Sequence, residues 1–369
     1  MKNFGPELDC LKAMGRYRAL KLPAGIDLSS NDYLGLSNHP ALRQAAIDAL
    51  ERGIEIGASG SRLLRGHRTA HEELEAFAAA YFECPRTLFF ANGFLANYAL
   101  IATLIGRNDV VVFDALCHAS MRDGLRAAQC QTIKAVHNDL DAFDDALKKP
   151  RAAGANLWIL AESIYSMDGD IAPVHDLLAL AEKYDAILIV DEAHGTGVSG
   201  ATGRGETEGL THERLITLHT CGKALGVAGA LVCANEAIVD YLINAARPFV
   251  YSTAPMPLQA VLVKRALELV RVEPQRREQL SALKALAATF LPGFTVRSQI
   301  VPIVVGKDDA AVELAKALQV RGFDIRAIRP PSVPEGTARL RLSLHAGLTP
   351  HNIEEFSGAL LHLLPRICA

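Results

Sequence analysis

The spacing of apolar residues changes period along this chain. Near the start it is helical. Leu8, Leu11 and Met14 fall on related faces, so Glu7 to Leu20 is expected to form one helix. IDLSSNDYLGLSNHP follows, rich in turn formers, and Pro40 stands at the favoured first position of a second helix. GASGSRLLRGHRTAHEELE then reads as a polar, Gly-rich loop entering a helix. From Arg86 the pattern becomes short apolar runs alternating with helical segments. The runs are LFFANG, VVVFD, NLWILAES, AILIVDEAHG, LITLHT and GALVCA; Val174 to Tyr184 and Glu236 to Ala246 are two of the helices. That alternation predicts α/β architecture, with a mixed, mainly parallel sheet covered on both faces. A helical tract from Pro257 to Phe290 comes next. VPIVVG, a helix from Ala310 to Arg321, AIRPP, RLRLSL and a last helix from Pro350 make a smaller α+β domain. The expected organisation is an N-terminal segment over 1–40, a large α/β domain over 41–256, and a linking helix with the small domain over 257–369.

Composition narrows the class. Half of the 369 residues are hydrophobic, enough for one large core and a satellite. Lys and Arg total 38 against 41 Asp and Glu, a net charge of −3 with no block of one sign. Nucleic-acid and membrane partners are therefore not expected. Seven cysteines lack CxxC spacing, no signal-peptide pattern is visible, and no apolar run reaches the roughly 18 residues of a membrane span. A cytoplasmic location and no metal site are expected.

The candidate chemistry gathers between Ile187 and Gly229. The β-branched run from Ile187 to Val190 reads as a buried parallel strand. It delivers Asp191, Glu192 and His194 at its carboxyl end, where open α/β sheets hold ligands. A second strand, Leu215 to Leu218, leads to Thr220, Gly222 and Lys223. A lysine there can form a Schiff base, and an aspartate can hold a ring nitrogen protonated, the two services pyridoxal phosphate requires. Gly93 and Phe94 lie where a strand turns into a helix, so free backbone amides there suit a phosphate. Tyr251, Ser252 and Thr253 could add hydroxyl donors. His118, just past VVVFD, is placed to stack on a flat ring or to be an ordinary surface histidine. Glu162 and Ser166 belong to another strand end, and MDGD reads equally well as a turn.

SSNDYLGL, ANGFLAN, CHAS, SMDGD, VDEAHGTGV, TCGKALGVAG, YST and AIRPPSVPEGTARLRL occur in this order. Their sequence and spacing resemble the α-oxoamine synthases, pyridoxal-phosphate enzymes of fold type I, over nearly the whole chain. The resemblance implies that Lys223 carries the cofactor, Asp191 holds its ring nitrogen and His118 stacks on the ring. It places His194 and Ser166 beside the ring's oxygen and reacting carbon. Gly93, Phe94 and Thr220 lie around the cofactor in that reading, and Thr253 reaches the phosphate of a neighbouring subunit in a homodimer. Arg18, Asn31, Arg329, Ser332 and Arg341 match substrate positions. Arg341 is the implied clamp for the amino-acid carboxylate, with Arg339 two residues away as the alternative.

The implied reaction is a decarboxylative condensation of an amino acid with an acyl thioester. AIRPPSVPEGTARLRL points within the family to L-alanine and a pimeloyl thioester on the route to biotin, carried by CoA or by acyl-carrier protein. The alternative substrates are glycine with acetyl- or succinyl-CoA. A catalytically silent pyridoxal-fold binding module is a further alternative, but no helix-turn-helix or basic stretch accompanies it here. Two departures from the family stand out. The segment between Arg18 and Asp27 is short and lacks a small strand pair, and PPSVP replaces PPTVP. Arg18 also has a plain alternative role, capping the C-terminal end of its own helix.

Overall fold

The computed structural model describes residues 3–149 and 151–367; the expected outer domain limits, residues 1 and 369, lie outside them. In chain order the first elements are α1 (Gly5–Ala13), β1 (Ile26–Asp27), α2 (Pro40–Glu51) and α3 (Thr69–Phe82). Then come β2 (Arg86–Phe90), α4 (Gly93–Leu104), β3 (Val110–Asp114), α5 (Ala119–Ala128), β4 (Gln131–Ala135) and α6 (Leu140–Leu147). β5 (Leu157–Glu162), α7 (Val174–Lys183), β6 (Ala186–Asp191), β7 (Leu215–Thr220), β8 (Ala230–Ala234), α8 (Glu236–Ala245) and α9 (Arg247–Val250) follow. The remaining helices are α10 (Pro257–Val272), α11 (Gln275–Phe290), α12 (Asp308–Val320) and α13 (Pro350–Ile367). The remaining strands are β9 (Ile300–Gly306), β10 (Phe323–Asp324), β11 (Ala327–Ile328) and β12 (Ala338–Ser343).

The chain divides into two compact units. One holds Leu34–Tyr165 and Ile171–Arg277; the other holds the stretch up to Tyr33, Ser166–Asp170 and the chain from Glu278 onward. In the first, seven strands form a sheet in the order β2-β8-β7-β6-β5-β3-β4. β4, β3, β5, β6 and β7 run parallel, and β8 is antiparallel to both of its neighbours. Alternate strand residues enter opposite cores, as the two-residue period of a strand dictates. Val111, Trp158, Leu160, Ile189 and Ile216 pack with α4, α5 and α8 on one face. Val110, Val112, Ile159, Leu188 and Val190 pack with α6 and α7 on the other. Nearly continuous apolar strands are what such double cover requires.

The second unit has the antiparallel sheet β11-β12-β9 and the parallel pair β1-β10. The SMDGD segment is a turn there: Gly169 takes φ +69, and a Cβ at that position would lie 2.1 Å from the Ile300 carbonyl oxygen.

Three expectations need correction. The first helix stops at Ala13 instead of reaching Leu20. Gly15 takes φ +66, and the amides of Arg16 and Tyr17 both bond the Leu11 carbonyl at 2.8 and 3.0 Å, which turns the chain away. The tract from Pro257 to Phe290 is two helices, because Pro274 lacks the amide and has the ring that end a helix. β4 was absent from the expected strands because it is an edge with mostly exposed side chains, so its sequence carries no apolar run.

Candidate active site

Within the larger unit the predicted residues converge on the carboxyl ends of β6 and β7. Asp191 ends β6 and is 3% exposed. Its Oδ1 accepts from the Ala193 amide at 2.8 Å, and its Oδ2 from Asn97 Nδ2 at 2.6 Å. No cation pairs with it among the described residues. A buried anion supported only by neutral donors is incomplete electrostatically, and a protonated pyridine nitrogen is a counter-ion of suitable shape.

Lys223 sits in a loop wound tightly after β7. Gly226 N bonds Lys223 O at 2.9 Å, Val227 N bonds Cys221 O at 3.0 Å, and Cys221 N bonds Gly229 O at 2.8 Å. Gly226 is needed there: it takes φ +66, and a Cβ would lie 2.3 Å from the Ser37 amide nitrogen. The loop holds Lys223 Nζ 2.7 Å from Nε2 of the buried His194. Thr220, also buried, donates from Oγ1 to the Ala193 carbonyl at 3.3 Å.

α4 opens at this edge. The side chain and carbonyl of Asn92 take the amides of Leu95 and Ala96, which leaves those of Gly93 and Phe94 directed out of the helix. A Cβ on Gly93 would meet Thr220 Cγ2 at 2.4 Å, so only glycine lets the helix start approach β7 this closely. His118 caps α5: its Nδ1 accepts from Ser120 N at 3.3 Å and lies 2.7 Å from Ser120 Oγ. His118 is exposed, and the Phe94 ring stands edge-on to its imidazole with centroids 6.3 Å apart. Desolvation holds His118 below its ordinary pKa, with Asp191 opposing and Lys223 assisting. Acid, lysine and histidine therefore act on one another.

Glu192 was visible in the sequence but had no assigned part. It is fully buried and anchors the loop after β6, accepting from Ser163 Oγ at 2.6 Å and from Thr207 N and Oγ1 at 2.7 Å each. Burial pushes its carboxyl up to about 7 despite those donors. Thr253 is exposed and makes no hydrogen bond within the chain among the described residues; the next residue, Ala254, bonds Gly60 O at 2.9 Å.

The smaller unit holds the other predicted residues. Arg341 is 7% exposed and donates to four neutral oxygens: Ser166 O at 2.6 Å, Asn31 Oδ1 at 3.0 Å, Ser343 Oγ at 2.7 Å and Tyr33 Oη at 3.1 Å. Burial raises the pKa of the Tyr33 phenol, with Arg341 opposing. Arg339 is instead committed to Asp168 and to the Thr337 carbonyl. Of the two arginines, only Arg341 lacks a carboxylate partner among the described residues.

Arg18 lies beyond the end of α1, so it does not cap that helix; its Nη2 donates to Ser332 Oγ at 3.3 Å. Arg329 donates to the Gly15 carbonyl, and burial beside Arg18 lowers its pKa. Arg18 lines a cavity of about 530 Å³ with Leu11, Met14, Tyr17, Pro330 and Val333. Among the described residues no cluster of three metal-ligating side chains occurs, and no helix is long and apolar enough to cross a membrane.

A sheet with one antiparallel strand and a lysine and aspartate at its carboxyl edge defines a class, the fold type I pyridoxal-phosphate transferases. The sequence pattern described as aminotransferase class I and II matches residues 23–360, and the chain belongs to that family. It is 39% identical to the 8-amino-7-oxononanoate synthase of Citrifermentans bemidjiense over 97% of both chains. It is 40% identical to the enzyme of the same name from Bordetella petrii over 92% of this chain and 88% of that one. Among solved structures, serine palmitoyltransferase from S. paucimobilis, with a bound PLP–myriocin aldimine, superposes with a TM-score of 0.90 at 27% identity. That match covers 99% of this chain and 98% of the other. The fold class read from the sequence is borne out.

Proposed function

We propose that the protein joins L-alanine to a pimeloyl thioester, releasing carbon dioxide and the thiol and forming 8-amino-7-oxononanoate for biotin synthesis. One observation carries this reading: the 39% identity to an enzyme of that name runs through 97% of both chains. It thus spans the segment of Lys223 and that of Arg341 alike. Pyridoxal phosphate is the cofactor, and it fits a site with a buried, uncompensated carboxylate and an amine beside an imidazole.

When bound, pyridoxal phosphate supplies the electron sink for charge developing at the amino acid's Cα. Lys223 would hold the cofactor through its Nζ, and its free amine would be the base placed to take the alanine Cα proton. His194 accepts from or donates to that amine and sets its direction. Asp191 keeps a proton on the ring nitrogen, and His118 stacks on the ring. The amides of Gly93 and Phe94 bind the phosphate, and Thr253 of a second copy joins them in a homodimer. Ser166 and Thr220 line the cofactor. Arg341, supported by Asn31, receives the alanine carboxylate. Arg18, Arg329 and Ser332 receive the far carboxylate of the pimeloyl chain, whose burial requires a cation. A cytoplasmic location goes with this reading.

The test is product analysis by mass spectrometry, pairing L-alanine, glycine and L-serine with pimeloyl-, acetyl- and palmitoyl-CoA. Alanine with the pimeloyl thioester should give the highest kcat/KM. A clear preference for another pair would overturn the reading.

A further inference from the structure

We propose that Asn97 is a positioning residue for Asp191, a buried carboxamide whose rotation is locked so that it always presents a donor to that carboxylate. The proposal rests on the reading that Asp191 faces the cofactor's ring nitrogen. Asn97 lies four residues into α4 and is 1% exposed. Both hydrogens of its Nδ2 are used: one reaches Asp191 Oδ2 at 2.6 Å and the other Ser120 Oγ at 3.1 Å. Its Oδ1 has no donor.

An orphaned buried carbonyl is costly and calls for a reason. Rotating the amide by half a turn would relieve nothing, because it would set Oδ1 against the Asp191 carboxylate, acceptor against anion. The orphan is therefore the consequence of serving an ionised Asp191. Ser120, itself fully buried, fixes the rotation from the other side. Its Oγ accepts from Asn97, which leaves its hydrogen to donate to His118 Nδ1 at 2.7 Å. The Ser120 amide also points at that Nδ1, so the ring nitrogen is the acceptor and Ser120 cannot turn to offer Asn97 a donor. With Ala193 N on Oδ1, both oxygens of Asp191 are committed and the plane of the carboxylate is set. Asp191 and His118 were assigned from sequence, but Asn97 and Ser120, which join them, were not. The members of this chain of bonds come from α4, from α5 and from the end of β6.

The experiment strips the enzyme of cofactor and measures the Kd for pyridoxal 5′-phosphate and the pH titration of its bound absorbance bands. Loss of one bond to a charged group should raise Kd about tenfold or more in Asn97→Ala and displace the titration. Asn97→Asp is the sharper probe, since two carboxylates in contact hold one shared proton more tightly than either would alone. At about pH 6 the new carboxyl is protonated and donates, so its Kd should approach wild type; by about pH 9 it should bind as weakly as Asn97→Ala. A residue that only fills space would give Asn97→Leu, which is of similar volume and donates nothing, the wild-type Kd and titration, which would overturn the proposal. If Asn97→Ala proves insoluble, Asn97→Leu decides alone, a raised Kd and displaced titration supporting the proposal and wild-type values overturning it. Asp191→Asn separates the two layers. If it binds and titrates like wild type, the reading of Asp191 fails; if it is impaired while the Asn97 variants are not, only the role of Asn97 fails.

Discussion

Lys223 Nζ lies 2.7 Å from His194 Nε2. At that distance one nitrogen must accept, so an ammonium and an imidazolium cannot coexist there and the pair carries at most one positive charge. The lysine comes from the loop after β7 and the histidine from the loop after β6, parallel neighbours with Asp191 opposite Leu218. The sheet register therefore sets the contact, and the wound glycine loop keeps it.

Asp191→Asn should fold and keep one of the two contacts, its amide oxygen accepting from Ala193 N or from Asn97 Nδ2, yet lose most turnover. A neutral amide no longer compensates a protonated ring nitrogen, and a loss of about a hundredfold or more is expected in kcat. Steady-state kinetics at full cofactor occupancy check this. Wild-type kcat in a fully occupied Asp191→Asn enzyme contradicts the assigned role.

Arg341 and Arg339 sit two residues apart on β12 and should behave differently. Arg341 has only neutral acceptors, whereas Arg339 already pairs with Asp168. Losing the two-pronged guanidinium contact in Arg341→Lys should raise the KM for alanine by about tenfold to a hundredfold. Arg339→Lys should leave that KM nearly unchanged and act on stability. The reverse pattern would exchange their roles.

Arg18 bonds Ser332 across 3.3 Å and does not serve α1. Arg18→Ala should therefore reduce kcat/KM for pimeloyl-CoA about tenfold more than for an uncharged acyl-CoA of similar length. Equal losses on both substrates would leave the far carboxylate without this partner.

Glu192 gives a pH signature in stability. Burial raises its carboxyl from 4.5 to about 7, so between those values the folded chain binds more protons than the unfolded one. The contribution of the neutral acid is fully present below about 4.5 and is lost as pH rises through about 7. The urea midpoint of wild type should fall across that window more steeply than that of Glu192→Gln, which has no charge to bury. Parallel curves would contradict the assignment.

The parts of this protein legible in its sequence are those coded locally. Val110–Asp114, Leu157–Glu162 and Ala186–Asp191 are apolar throughout because the sheet is covered on both faces, and their ends carry the polar residues. Asp191 and Lys223 could be read because each follows such a run. β4 could not, since its outward side chains look like loop. The end of α1 was hidden because its apolar spacing continues past Gly15, where the backbone conformation alone breaks the helix. Asn97 gave no signal: on α4 it looks like one polar residue in an apolar helix, and its partner is 94 residues away. The resemblance named Arg341 with Arg339 as the alternative, but its contacts with Asn31 and Tyr33, some 310 residues earlier, lie beyond any local reading.

The central claim is that Lys223 is the residue that carries the cofactor. Borohydride reduction of the enzyme loaded with pyridoxal phosphate, followed by proteolysis and peptide mass spectrometry, reads this directly. The expected result is one pyridoxyl adduct, on Lys223 in the TCGKALG peptide, absent from Lys223→Ala although that variant still binds the cofactor without a covalent link. An adduct on a different lysine, or none on a fully occupied and active enzyme, would contradict the account.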